Sequence, residues 1–183
     1  MIDTTARPVR AYLDTCIASG IVKNDLGQEE LTALSRILQA RDAGQVELAT
    51  SEVMREELNR IPPQHRELHL NVYRALLNVP ALPNQVPTSR LLPSPLISSG
   101  LSEDPLYSSL RELLPDREDA DHVWQASQNE IPYFITVDQR TLLKHKSEVE
   151  RVHNIRLLRP SVFVTELLGE GGEDSNTSTE PKP

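Results

Sequence analysis

The stretch YFITVD, residues 133–138, reads as a buried strand that stops on a carboxylate, and VRAYLD, residues 9–14, repeats the pattern. Both runs carry the β-branched and aromatic residues that suit a pleated sheet. Folding alone does not ask for the terminal aspartates. Asp disfavours strands, and a buried carboxylate is costly unless it is paired. Two such strand ends in one chain therefore point to a site.

Outward from these strands, the chain alternates. Val9–Leu13 is followed by a turn or short helix over Thr15–Val22. Residues 28–43 predict a helix, with Leu31, Leu34, Ile37 and Leu38 on one face and Gly44 ending it. Next come a strand at Val46–Thr50, a helix N-capped by Ser51 and stopped by Pro62-Pro63, and a helix over 64–77. Further on, helix 117–129, strand 133–137, helix 140–150 and strand 155–158 lead to a last helix with Pro160 at its first position. This order predicts an α/β fold with a central, mainly parallel sheet. Ligands of such sheets bind at the carboxyl ends of the strands, where Asp14 and Asp138 stand.

The 183 residues fit one domain over 7–168. Within it, residues 78–116 hold seven of the 14 prolines and read as an irregular excursion with a short helix near 105–114. Residues 169–183 have the composition of a disordered tail. Net charge is −8, so the overall balance does not advertise nucleic-acid binding. Locally, residues 139–160 set six cations (Arg140, Lys144, Lys146, Arg151, Arg156, Arg159) against two glutamates. Beside Asp138, Arg140, Lys144 and Lys146 form a candidate phosphate-tracking patch, or else a solvated helix face. The single cysteine, Cys16, allows no internal disulfide, and MIDTTARPVR leads into no apolar stretch of secretory type. A cytoplasmic protein with no membrane span is expected.

Helical geometry selects further acids. In SEVMREELNRI, residues 51–61, Val53, Met54, Leu58 and Ile61 occupy an arc of about 140°. Glu57 falls inside that arc, while Glu52 and Glu56 fall outside. In REDADHVWQASQN, residues 117–129, Asp119 lies with the apolar Ala120, Val123, Trp124 and Ala126. Asp121 is expected in solvent with Gln125 and Gln128. His122 is expected at the helix edge in a structural role. Asp14, Glu57, Asp119 and Asp138 thus form an inward or strand-end set with no dedicated counter-charge. A hard dication, Mg²⁺ or Mn²⁺, would relieve their repulsion and support phosphodiester hydrolysis.

The pieces YLDTC, TSEVMREEL, EDADH and YFITVDQRTLL, in this order and context, resemble the PIN domain of VapC-type toxins and other endoribonucleases. LLRPSVFVTELL resembles that domain's last strand and helix, and the resemblance covers 9–77 and 117–168. It implies a three-layer α/β/α fold and an acidic Mg²⁺ or Mn²⁺ site at Asp14, Glu57, Asp119 and Asp138. Thr136 would orient Asp138 or a water at the site. Cys16 stands where many members carry Asn. The resemblance further implies RNA as substrate, a cognate antitoxin protein as partner, and a homodimer. A second reading is a catalytically weak PIN-like module that binds partner proteins. A haloacid-dehalogenase-type phosphatase fits poorly, because its D-x-D is here Asp14-Thr15-Cys16.

Overall fold

Tyr12 is completely buried near the end of the first strand, β1 (Val9–Leu13), and β1 is one of the two inner strands of the sheet. The computed structural model describes residues 7–77 and 104–169. In it, β1 pairs in parallel with β2 (Val46–Ala49) on one side and β3 (Tyr133–Ile135) on the other. Beyond β3, β4 (Arg156–Leu158) completes a four-stranded parallel sheet of order β2-β1-β3-β4. The strands are short, buried on both faces and mostly apolar, as parallel strands covered by helices are.

Alternation along the strands divides two hydrophobic clusters. Ala11, Leu13, Ile135 and Leu158 join one cluster with residues of α1 (Thr15–Lys23), α2 (Gln28–Asp42) and α8 (Pro160–Phe163). Tyr12, Phe134 and Leu157 join the other with residues of α5 (Pro105–Leu113), α6 (Arg117–Gln128) and α7 (Lys146–His153). Tyr12 stacks on Phe134 with ring centroids 5.0 Å apart. Between β2 and the second half of the chain lie α3 (Glu52–Arg60) and α4 (Pro63–Leu77).

Local chemistry sets the boundaries. Gly44 takes φ +73° just past α2, a left-handed conformation that glycine adopts without cost. Asn24 closes α1 at φ 56°, its N–H bonding back to the last turn. The Asp104 carboxylate accepts from Leu106 N and Pro105 begins α5. The Asp116 carboxylate accepts from Glu118 N and begins α6. Pro160 opens α8, which runs on into a wider π-turn over Val164–Leu168.

Three expectations need correction. The helix expected over 140–150 begins later: a 3₁₀ turn at Leu143–His145 precedes α7. Asp138 Oδ1 accepts from Arg140 N and Thr141 N, and this side-chain turn competes with the helix. The expected excursion is ordinary core over its last part, since Tyr107, Leu110 and Leu114 are buried. Its residues 78–103 lie outside the described residues, as do residues 170–183 of the expected tail. Finally, Asp121 and Gln125 are buried, not in solvent. The reason is α5, which packs on α6 and presents Tyr107, whose hydroxyl donates to Asp121 Oδ1 at 2.6 Å. Among the described residues, no helix is long and apolar enough to cross a membrane.

If α5 belongs to the core, Leu110→Ala should destabilise by about 2–5 kcal/mol in urea unfolding. Leu106→Ala, on the exposed side of the same helix, should stay within about 0.5 kcal/mol. Equal, small effects would detach α5 from the fold.

A candidate acidic site at the strand ends

In the order β2-β1-β3-β4, the chain leaves β1 toward one edge and later returns to build β3 and β4 on the other. The crevice between the carboxyl ends of β1 and β3 is therefore a topological switch point, the usual binding place of an open parallel sheet. Asp14 follows β1 there and Asp138 follows β3. The backbone ties them together: Asp14 N bonds to Ile135 O at 3.0 Å, and Thr136 N to Leu158 O at 3.0 Å.

Asp14 is buried, and its Oδ2 accepts from Thr136 Oγ1 at 2.6 Å and from Cys16 Sγ at 2.8 Å. Burial, with Glu57 nearby, raises its pKa above the usual carboxylate value despite His122 and these two donors. The Thr136 hydroxyl, expected to orient Asp138 or a water, thus also orients Asp14. Toward Asp138 it only accepts the backbone N–H, at 3.0 Å. Cys16 serves as a donor. Burial and the adjacent Asp14 push the thiol's pKa well up, so it keeps its proton.

Asp119, on the first turn of α6, and Asp138 share a residue that the sequence reading left out. Thr141 Oγ1 lies 2.6 Å from Asp119 Oδ2 and also contacts Asp138 Oδ2. One hydroxyl carries one proton. Two carboxylates around it need a second, and Asp119 can supply it. Burial raises the Asp119 pKa to about 7, with Asp14, Asp116 and Asp138 adding to the rise against the Thr141 hydrogen bond. Asp138 goes the other way: burial is outweighed by Thr141 and by backbone amides of residues 140–142, which hold it below the usual range.

Glu57 faces inward from α3, as the wheel predicts, but its neighbour is His122. Glu57 Oε2 stands 3.2 Å from His122 Nε2, a charge contact lacking hydrogen-bond alignment, and that oxygen is buried with no hydrogen-bond partner. His122 is wholly interior, not at the helix edge, with Nδ1 2.7 Å from Tyr12 Oη and Nε2 3.0 Å from Thr15 Oγ1. Tyr12 Oη continues to Ser51 Oγ at 2.6 Å. Burial disfavours a charged ring, yet Tyr12, Glu57 and Asp14 raise the His122 pKa well above the ordinary value. Glu57 is correspondingly lowered: burial is outweighed by His122, Thr15 and Arg60. The acidic set thus has a counter-charge that spacing did not reveal. Asp119-x-x-His122 was its only trace in sequence.

The cations are partly consumed. Arg159 pairs with Glu30 at 2.7 Å, Arg156 with Glu166 at 2.6 Å and Lys146 with Glu150 at 3.6 Å. Arg140 and Lys144 make no ion pair with a described residue.

The donor chemistry fits a hard dication. Asp14, Asp119 and Asp138 offer oxygen only, the buried Glu57 Oε2 has no hydrogen-bond partner beyond its charge contact with His122, and burial with three nearby carboxylates raises the Asp119 pKa. As placed, however, no three His, Cys, Asp or Glu side chains among the described residues are grouped to hold one ion. Binding requires the carboxylates to exchange their hydroxyl and thiol partners for the ion. A comparison of the chain with family models finds no match, and comparisons with curated proteins and with solved structures find none either.

The raised Asp119 pKa has a measurable consequence in metal-free buffer. From the unfolded value of 3.8 up to about 7, the folded state holds the extra proton. Stability falls as pH rises through that window and levels off above it, by at most about 4 kcal/mol for this group. The raised shift of Asp14 acts in the same sense. In EDTA, Asp119→Asn should therefore raise Tm relative to wild type at pH 8, with the gap narrowing to less than half by pH 5 and closing only below about pH 4. A gap independent of pH would assign the proton elsewhere.

Proposed function

We propose that this chain is a metal-dependent endoribonuclease with a three-layer α/β/α PIN-like fold. The observation that carries the reading is the meeting of carboxylates at the switch crevice: Asp14 from β1, Asp138 from β3, and Asp119 from α6, joined to Asp138 through Thr141. The four motif pieces fall on the elements that meet there. Mg²⁺ or Mn²⁺, held by Asp14, Glu57, Asp119 and Asp138, would neutralise phosphate charge and acidify a water.

The chain's own groups account for the rest. Thr136 and Cys16 aim Asp14 from one side. Thr141 spaces Asp119 from Asp138. Asp119 titrates near neutrality without metal and would give up that proton to serve as a ligand. Asp138 or Glu57, both ionised, can accept a proton from the attacking water. His122 limits repulsion within the set. No protein nucleophile is required.

The biological context we favour is a toxin restrained by a small antitoxin protein. Growth arrest on induction, relieved by Asp14→Asn, would support it, and growth unaffected by induction would remove it.

One observation favours the second reading, a PIN-like binding module of little catalytic power. Glu57 faces His122, and the side chains are not grouped around an ion position.

Incubation of purified full-length chain with a mixed structured RNA pool in Mn²⁺, Mg²⁺ or EDTA tests the nuclease reading. Cleavage should require metal and fall at least about a hundredfold in Asp14→Asn, on the scale of losing a transition-state charge partner. Absence of cleavage together with no heat of Mn²⁺ binding in calorimetry would select the binding module.

A further inference from the structure

Asp138 also borders a hollow in the surface. A cavity of about 480 Å³ opens there, between the end of α1, the following loop and the turn after β3. Lys23, Arg140 and Arg159 supply cations to its wall, and Leu26 and Val137 supply apolar surface. A neighbouring cavity of about 520 Å³ shares Gln139 and Arg159 with it and brings in Lys144 and Lys146. Gln139 and Arg159 border both hollows, which lie side by side from Asp138 and are together called the trough. Apart from Cys16 and Asp138, the lining residues take no part in the chemistry described above.

We infer that this trough seats single-stranded RNA beside the carboxylates, with one nucleotide in the cavity at Asp138 and its phosphate between Lys23 and Arg140. The inference rests on the nuclease reading for its substrate class. Each hollow lies in the size range of small-ligand sites. A concave pocket with an apolar wall can take an unstacked base, which single strands offer and a duplex does not. Among the described residues no aromatic side chain lines either hollow, so stacking is not the means of holding the base there. Instead, the Gln139 amide at the junction offers a donor and an acceptor to a base edge.

The charge balance is compatible with a phosphate. The wall also contains Asp25, Glu30 and Asp138. Glu30 is buried and already engaged: it accepts from Ser161 N at 3.0 Å and Ser161 Oγ at 2.9 Å, and it pairs with Arg159. That pairing anchors Arg159 at the junction. The Asp138 carboxylate is already engaged by the Arg140 and Thr141 amides and by the Thr141 hydroxyl, with no metal needed. Lys23 and Arg140 make no ion pair with a described residue, so they are the cations with charge to spend on a ligand.

The test is binding, read without cleavage. Full-length chain in EDTA is titrated into a fluorescein-labelled eight-nucleotide single-stranded RNA, and anisotropy is followed. Lys23→Glu and Arg140→Glu should each weaken binding about tenfold or more. Arg151→Glu, the same charge change on exposed α7 outside both hollows, should weaken it less than threefold. Thermal unfolding of each variant confirms that the fold is kept. Equal losses in all three variants would reduce the effect to diffuse charge and overturn the inference. So would indifference to Lys23→Glu, absence of binding, or equally tight and equally Lys23-dependent binding of a polyglutamate peptide. RNA binding with the expected pattern but no cleavage in Mn²⁺ would retire the nuclease reading and keep the trough. Cleavage with a KM unmoved by Lys23→Glu would do the reverse.

Discussion

One buried imidazole holds the acidic end of this fold together. His122 touches Tyr12 on β1, Thr15 on α1 and Glu57 on α3, while its own backbone belongs to α6. Without it, Asp14 would keep only the Thr136 and Cys16 donors and Glu57 only Thr15 and Arg60 to offset charge in a low-dielectric interior. With it, Glu57 stays ionised, and a network from Ser51 through Tyr12 satisfies the ring on its other side. A charge this deeply buried is tolerated because both ring nitrogens have partners and two carboxylates lie near. The cost is specificity of shape: the four elements must meet at this ring, which fixes where α3 and α6 stand over the end of the sheet.

Much of this was legible in the sequence, and the failures have physical causes. The strand-end aspartates mark the crevice because nothing in strand propensity explains them. The parallel order of the sheet then makes their position a binding place. Helical periodicity puts Glu57 and Asp119 inward, and the structure agrees. It puts Asp121 outward, and the structure does not, because a wheel divides a helix into one buried and one wet face. Helix α6 has two buried faces, one against the sheet and one against α5. The proline content of the preceding segment hid α5 as a core element, although Asp104-Pro105 is a good helix start and Tyr107, Leu110 and Leu114 are apolar at helical spacing.

Other misses concern partners, which spacing along one helix cannot reveal. His122 and Thr141 gain their roles from residues distant in sequence: Tyr12 for the former and Asp119 for the latter. Thr141 sits in a stretch read as regular helix. There, the Asp138 side chain turns the backbone instead, and that turn is what carries the Thr141 hydroxyl back to two carboxylates. Thr136 follows the same logic in reverse. Its place in T-x-D suggests service to the second aspartate, but the pleat aims it across the ladder at Asp14.

The carboxylates divide into two pairs with different ways of living with their charge. Asp14 and Glu57 share the His122 cation, and Asp14 is further held by two hydrogen-bond donors. Asp119 and Asp138 have no cation between them, only a hydroxyl, and one of the two answers by holding a proton near neutral pH. The weaker arrangement is the one that opens toward the trough, since Asp138 lines it. A proton and a hydroxyl are easily displaced, whereas a buried imidazole locked among Tyr12, Thr15 and Glu57 is not. In the nuclease we propose, an incoming cation would therefore meet least resistance at Asp119 and Asp138, and Asp14 would follow by releasing Thr136 and Cys16. Glu57 must compete with His122 for the same oxygen. On this chain the fourth carboxylate is thus the one whose engagement depends most on what else has bound.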